Sequence, residues 1–304
     1  MSKIDFTGRV AIVTGAGGGV GRLHALGLAR RGAKVVVNDL GGAVDGSGGS
    51  VTAAQQVVDE IQALGGEAMA NGASVTDFEA VQAMVAQAID TWGRVDVLVN
   101  NAGILRDKSF AKMELADFRQ VLDVHLMGAV HTCKAVWPHM QEQKYGRIVM
   151  TTSSSGLYGN FGQSNYGAAK LALVGLMQTL ALEGEKYDIR VNSLAPTAAT
   201  RMTEGLMPQE VLEVLRPEAV VPAMLVMASE QAPTRAILCA GAGTFEAAHI
   251  TLTRGLHLGL TDDTPEQLLA RLDEVRATEG QQVPGSGSAQ GQNEVTQALA
   301  AKRG

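Results

Sequence analysis

The sequence predicts an α/β fold: a doubly wound parallel sheet of about seven strands with helices on both faces. Three observations predict it. Short apolar runs alternate with longer stretches of helical spacing, as buried parallel strands alternate with their crossover helices. The first apolar run ends in a glycine cluster that opens a helix. Of 304 residues, 46% are hydrophobic and 18% charged, so the chain is too apolar for a disordered protein or a coiled coil.

Taken in order, strands are expected at 10–14, 34–38, 67–73, 95–100, 146–152, 189–194 and 236–239. Each is a compact Val-, Ile-, Ala- or Met-rich run bounded by glycine or polar residues. Helices are expected at about 23–31, 50–64, 77–91, 117–142, 164–186 and 209–216. Two stretches interrupt the alternation. Residues 40–50 form a Gly-rich insertion, and beyond residue 277 the composition turns to Gly, Gln, Ser and Pro. A helix at 264–276 is supported by Pro265 at its first turn. Residues 280–292 read as a flexible linker before a short helix at 294–302. The resulting division is 1–255 for the α/β domain, 256–279 for a helical extension and 280–304 for the tail.

Aromatics are only 4% and glycines number 36, so the core is built from Ala, Val, Leu and Met. The net charge of −6 argues against a nucleic-acid binder, which needs a basic face. Two cysteines, Cys133 and Cys239, are too few for a disulfide framework and suit a reducing compartment. The first residues lack a signal pattern, the last match no common sorting signal, and no apolar run reaches membrane-spanning length. A cytoplasmic protein without a membrane span is expected, and no metal ligand set is assigned.

The run Thr14-Gly15-Ala16-Gly17-Gly18-Gly19-Val20-Gly21 follows a strand and opens a helix. Glycine admits close approach of a pyrophosphate, and the helix N-terminus offers unpaired N–H groups and a positive dipole end. A glycine cluster alone is equally a tight turn; the strand–helix–strand context makes it a Rossmann-type dinucleotide site. Asp39 closes the second strand 18 residues after Gly21. Its carboxylate can accept ribose hydroxyls and would repel a 2′-phosphate, which selects NAD over NADP. Asn100, Asn101, Ala102 and Gly103 end the fourth strand, where ligands of such sheets bind.

Tyr166 and Lys170 stand four residues apart on one helix face. A phenol of pKa about 10 is a poor base at neutral pH, and an ammonium one turn away is expected to lower it. Ser153, after the fifth strand, can donate to an oxygen at a reacting carbon. In isolation, a tyrosine and a lysine at this spacing read better as a solvated surface pair.

Together, the glycine motif at 14–21, Asn100 to Gly103, Ser153, Tyr166 and Lys170 resemble the short-chain dehydrogenase/reductase family, over about residues 6–255. The resemblance implies Tyr166 as general acid/base, Lys170 as the residue that orients the nicotinamide ribose, and Ser153 as the residue that positions the substrate oxygen. Ser153 and Tyr166 are then also the substrate-binding pair. It implies NAD contacts from Gly15, Gly19, Val20, Gly21, Asp39, Leu40, Ser74, Val75, Asn101, Ala102, Gly103, Tyr166, Lys170, Pro196, Ala198 and Thr200. Longer matching stretches, at 36–42, 100–110, 144–150, 156–170 and 201–203, resemble one group within the family. That group is the (3R)-hydroxyacyl-CoA dehydrogenase part of peroxisomal multifunctional β-oxidation enzymes, also known as 17β-hydroxysteroid dehydrogenase type 4. The chain then resembles a stand-alone relative of the kind bacteria carry.

Three departures are visible. His125 stands where most of the family has Asn, as in that group. Thr197 replaces the usual Gly after Pro196, which is tolerable where φ stays negative. Ala73 replaces an acidic residue after the third strand, and one adenine hydrogen bond is expected to be lost. Residues 200–222 lie where the family's substrate lid lies and carry Met202, Leu206, Met207, Val211, Leu212 and Leu215. They suit an acyl chain or a steroid nucleus. The expected reaction is NAD-linked interconversion of a (3R)-3-hydroxyacyl-CoA and its 3-ketoacyl-CoA. Alternatives are a free 17β-hydroxysteroid, a 3-ketoacyl reductase, which Asp39 opposes, and an inactive nucleotide-binding scaffold, which the intact Ser153, Tyr166 and Lys170 oppose. A homodimer or homotetramer through the helices at 117–142 and 164–186 is implied.

Overall fold

A computed structural model of the chain describes residues 3–42, 45, 52–199 and 208–303. It divides into two compact units, Met1–Ala247 and Ala248–Gly304. The first opens with β1 (Val10–Thr14), α1 (Gly19–Ala29), β2 (Lys34–Asn38), α2 (Thr52–Ala63), β3 (Ala68–Asn71), α3 (Phe78–Trp92) and β4 (Val97–Asn100). It continues with α4 (Leu115–Leu122), α5 (Gly128–Gln143), β5 (Gly146–Thr151), α6 (Ser154–Tyr158), α7 (Ser164–Gly184) and β6 (Ile189–Pro196). It closes with α8 (Gln209–Val214), α9 (Val221–Ala228), β7 (Ile237–Gly241) and β8 (Thr244–Ala248).

The sheet order is β3-β2-β1-β4-β5-β6-β7-β8. The six neighbouring pairs from β3 through β7 are all parallel. The chain runs outward from β1 to β3, then returns to lay β4 beside β1, which makes the β1/β4 boundary the switch point of the sheet. Every residue of β1, β4 and β5 is buried, as continuous apolar strands covered on both faces must be. Local sequence sets several boundaries. Asp77 caps α3 by accepting from the Ala80 N–H at 3.1 Å, and Gly93 ends it at φ 77°.

Several expectations need correction. Among the described residues the sheet has one strand beyond the seven expected: β8 is an exposed strand joined to β7 through Ala242 and Gly243, both at positive φ. That pair makes a type I′ hairpin turn without the Asn-Gly signature that would have announced it. The single helix expected at 117–142 is broken by a π-helical turn, Asp123–Met127, between α4 and α5. The helices α6 and α9 were not anticipated, because five residues and an all-apolar eight-residue run give no periodicity to read.

The second unit contains α10 (Thr264–Ala270), α11 (Leu272–Arg276) and α12 (Ser288–Ala301). The last begins within the stretch expected to be linker. Within this unit Leu252 pairs with Gln282, and Gln297 of α12 donates to the Arg254 carbonyl at 2.9 Å. Among the described residues no helix is long and apolar enough to cross a membrane.

Candidate active site

Because the strands are parallel, the segments after β1 to β6 emerge at one edge of the sheet. Those segments carry the glycine motif, Asp39, Ser74 and Val75, Asn101 to Gly103, Ser153, and Pro196 with Ala198. At the switch point the loops after β1 and β4 interlock. Asn101 Nδ2 donates to the carbonyls of Thr14 and Gly15, both at 3.0 Å. The Thr14 hydroxyl accepts from the N–H groups of Asn101 (3.0 Å) and Ala102 (3.1 Å). A side chain at Gly15 would meet Ala102 Cα at 2.8 Å, and one at Gly21 would collide with the Gly15 carbonyl. These two glycines are therefore required by loop-on-loop packing. Gly19 differs: at φ 52° a side chain there would meet nothing among the described residues, and α1 behind it has neither a side-chain cap nor an acidic first turn. Its first N–H groups are therefore available to an anion.

Asp39 lies beside this turn. Its Oδ2 accepts the Gly17 N–H at 2.8 Å and its Oδ1 the Gly41 N–H at 2.6 Å. Each oxygen keeps a further lone pair for a hydroxyl. Leu40 is partly exposed beside it, at 44%. The backbone around Ala73 is held without an acidic side chain. Its N–H donates to Asn71 Oδ1 and its carbonyl accepts from Asn38 Nδ2, both at 2.9 Å. Ser74 shares a hydroxyl contact with Thr76, and Val75 is buried with its carbonyl 2.9 Å from His131 Nδ1.

On the β6 side, Thr197 is not among the residues at positive φ, and its N–H donates to Ala240 at 2.8 Å. The close approach here is made by Gly241, where a Cβ would stand 2.6 Å from the Thr197 carbonyl. Ala198 packs against the core. Thr200, most of the Gly-rich insertion, and Met202, Leu206 and Met207 lie outside the described residues.

The structure brings Ser153, Tyr166, Lys170 and His125 together. Ser153 caps α6, its hydroxyl accepting the Ser155 N–H at 3.2 Å, and it stands close enough to the Tyr166 hydroxyl to act on its ionisation. Lys170 is 3% exposed and donates to the Thr151 carbonyl at 2.6 Å. Its Nζ stands 5.4 Å from the centre of the Tyr166 ring. Burial pulls the Lys170 ammonium down from 10.5 to about 7. The expected lowering of the Tyr166 phenol is not what the isolated chain shows. Burial pushes the phenol up, the Ser153 hydroxyl partly offsets this, and the Asp107 carboxylate adds to the rise. Lys170 faces the ring and spends a proton on Thr151, so it offers the phenolate little.

His125 sits on the π-helical turn, edge-on to the Tyr166 ring at 5.3 Å between centres. Such turns recur at functional sites because they re-aim one side chain. Burial above all, helped by the Lys170 charge, drops His125 to about 3 against the opposing Ile104 hydrogen bond, so the imidazole is neutral. Its Nε2 lies 2.8 Å from the Ile104 carbonyl and 3.1 Å from the Ile104 N–H, while Nδ1 is buried and has no partner among the described residues. A side chain at Gly103 would run into this ring. Thr14, Asn100, His125 and Lys170 help line a cavity of about 10 Å³, the room of one water molecule.

Sequence reasoning missed the parts that hold the others. The Asn101 side chain also holds the glycine loop, through the Thr14 and Gly15 carbonyls. The Thr151 carbonyl and the Thr132 hydroxyl, which donates to Asn100 at 2.6 Å, had no sequence signal of their own.

The short chain dehydrogenase family matches residues 9–211, more than half of the chain, and the chain belongs to that family. The peroxisomal multifunctional enzyme A of Dictyostelium discoideum is 46% identical over 286 residues, covering 94% of this chain and 64% of that protein. A short-chain type dehydrogenase/reductase of Mycobacterium tuberculosis is 48% identical over 280 residues, covering 91% of this chain and 97% of its own length. The solved structure of full-length peroxisomal multifunctional enzyme type 2 from Drosophila melanogaster matches with a TM-score of 0.80 at 35% identity. It covers 98% of this chain and 50% of that one. The chain thus spans less than two thirds of these multifunctional relatives. It is an oxidoreductase of a family that binds a nicotinamide cofactor. The clearance at Gly19, the uncapped α1 and the free lone pairs of Asp39 fit such a group.

Proposed function

We propose that the chain is an NAD-dependent dehydrogenase that interconverts a (3R)-3-hydroxyacyl-CoA and its 3-ketoacyl-CoA. The observation that carries the reading is the convergence of Ser153, Tyr166, Lys170 and His125 beside the loop interlock at the switch point. The nicotinamide, when bound, supplies hydride transfer at the carbinol carbon. The chain's own residues manage the proton. In oxidation the Tyr166 oxygen takes the alcohol proton after handing its own proton on towards Lys170, and in reduction the Tyr166 hydroxyl gives its proton to the forming alkoxide. Ser153 donates to the substrate oxygen from beside the Tyr166 hydroxyl. When protonated, Lys170 Nζ keeps two donors beyond the one given to Thr151, and these serve ribose hydroxyls. With Nε2–H directed at the Ile104 carbonyl, His125 Nδ1 is an acceptor for a water in the small cavity, giving the proton a route past Lys170.

Asp39 is the selector for NAD, since a 2′-phosphate would stand against a carboxylate held by Gly17 and Gly41. The resemblance of 36–42, 100–110 and 156–170 to the hydroxyacyl-CoA dehydrogenase group supports the substrate class. Residues 1–255 form the dehydrogenase and 256–304 an extension. The enzyme is cytoplasmic and pairs copies through α5 and α7, where Leu171 and Leu182 remain partly exposed; light scattering of the purified protein gives the copy number.

The test is a panel with NAD⁺ and NADP⁺: 3R- and 3S-hydroxyacyl-CoAs of several lengths, and 17β-estradiol. Turnover of 3R esters with NAD⁺ is expected. Activity confined to 3S esters, or preference for NADP⁺, would overturn the assignment. Tyr166→Phe is expected to lower the rate of hydride transfer by about 10²–10⁴-fold; a near wild-type rate in stopped flow would remove Tyr166 from its role.

A further inference from the structure

The two longest stretches of subgroup resemblance, 100–110 and 156–170, prove to be stitched together in space. The Lys108 N–H donates to the Gly162 carbonyl at 2.9 Å. Gln163 Nε2 donates to Asp107 Oδ2 at 2.6 Å. Asn165 Nδ2 donates to the Arg106 carbonyl at 3.0 Å. Three successive residues of one loop are thereby tied to the start of α7.

The manner of the tie is unusual for a helix start. First-turn N–H groups lack helical partners, and the N-cap side chain commonly accepts one. Here the N-cap residue Gln163 makes no such bond. It reaches away to Asp107, and its Oε1 accepts from Ser155 Oγ at 2.8 Å and Asn160 Nδ2 at 3.0 Å. The capping task falls to Asn165, inside the helix, whose Oδ1 accepts the Tyr166 N–H at 2.7 Å. Asn165 is 0% exposed, so both ends of its amide are committed. The loop it grips is anchored in turn: Arg106 donates to Asp117 of α4 at 2.7 Å and to the Asp45 carbonyl at 2.9 Å. Gln163 meanwhile touches Ser155, whose N–H donates to Ser153.

We propose that Asn165 is a positioning residue for Tyr166, clamping the turn that bears the phenol to the 106–108 loop, with Gln163 clamping the Ser153 turn to the same loop. The proposal rests on the reading of Tyr166 as acid/base. Its physical basis is that proton transfer needs the phenol within hydrogen-bond reach, and a misplacement of about 1 Å costs on the order of 10²-fold in rate.

The experiment is a mutant cycle of Asn165→Ala and Tyr166→Phe, read in single turnovers of acetoacetyl-CoA with NADH. If the panel above identifies another substrate, that substrate replaces acetoacetyl-CoA. NADH affinity is followed by fluorescence. Asn165→Ala is expected to slow turnover about 10–100-fold with NADH affinity within about twofold of wild type. In the Tyr166→Phe background the same change should cost almost nothing, because there is no hydroxyl left to place. Equal losses in both backgrounds, or an unchanged rate in the single variant, would overturn the clamp. A wild-type rate for Tyr166→Phe alone would instead overturn the acid/base reading on which it rests. If Asn165→Ala does not fold, Gln163→Ala at a half-buried position gives the same comparison. A loss of about 3–10-fold that vanishes in the Tyr166→Phe background is then expected, and an unchanged rate refutes the proposal.

Discussion

Replacing Lys170 by Met should make the protein more stable while disabling it. A free lysine ionises at 10.5, and burial brings Lys170 to about 7. At about 1.4 kcal/mol per tenfold change in ionisation constant, the displacement corresponds to about 5 kcal/mol against the folded state. The sign follows from proton counts. Below pH 7 both states hold the proton and the whole penalty applies. Between pH 7 and 10.5 the unfolded chain still holds a proton the native chain has released, so stability climbs with pH. Above 10.5 the penalty is gone. Methionine has similar length and no charge to desolvate, but it strips the Thr151 carbonyl of its 2.6 Å donor, which costs about 1–3 kcal/mol. Lys170→Met is therefore expected to be about 2–4 kcal/mol more stable at pH 6, by urea unfolding of the ligand-free protein. That advantage should shrink steadily towards pH 10, and activity should fall by about 10²-fold or more. A stability difference that does not change with pH, or a variant less stable at pH 6, would refute the reasoning.

Three other outcomes are expected. Asp39→Ala should narrow the preference for NADH over NADPH by about 10–100-fold in fluorescence titrations, because the like charge facing a 2′-phosphate is gone; an unchanged ratio would count against Asp39 as selector. His24 is fully buried, neither ring nitrogen has a partner among the described residues, and burial lowers it to about 3. The unfolded chain therefore takes up a proton the native chain refuses as pH falls from 6.5 to 3. His24→Leu should remove about 1.4 kcal/mol of acid destabilisation per pH step in that window, and parallel stability curves for variant and wild type would contradict it. Arg147, 0% exposed at the start of β5, donates to the carbonyls of Gly146, Asp188, Ser229 and Glu230 and to the Asp188 carboxylate. Arg147→Ala should cost about 3–5 kcal/mol of stability in denaturant titrations while NADH affinity stays unchanged, since this end of the sheet is opposite the site.

Much of the fold was legible because its signals are local. The runs at 10–14 and 34–38 match β1 and β2 to the residue, since a buried parallel strand is a continuous apolar run with polar punctuation. Asp39, Ser153, Tyr166 and Lys170 stood out because their chemistry is tied to short spacings from a strand end or along one helix face. β8 escaped because an exposed edge strand has no apolar pattern to keep. The π-helical turn under His125 escaped because one inserted residue changes the phase of a helix without changing its composition.

By itself, then, the sequence determined the order of strands and helices, the turn glycines and the residue types available at the carboxyl edge of the sheet. Only the tertiary structure decided what those residues do to one another. It assigned Gly15 and Gly21 to loop packing and left Gly19 clear of the described residues. It showed that Gly241 makes the close approach that Thr197 does not. It set the phenol of Tyr166 high where the spacing of Lys170 argued low, and it revealed Asn165 and Gln163 as the ties between two loops. Hydrogen-bond partners and desolvation belong to groups distant in the chain, and only folding brings them within reach.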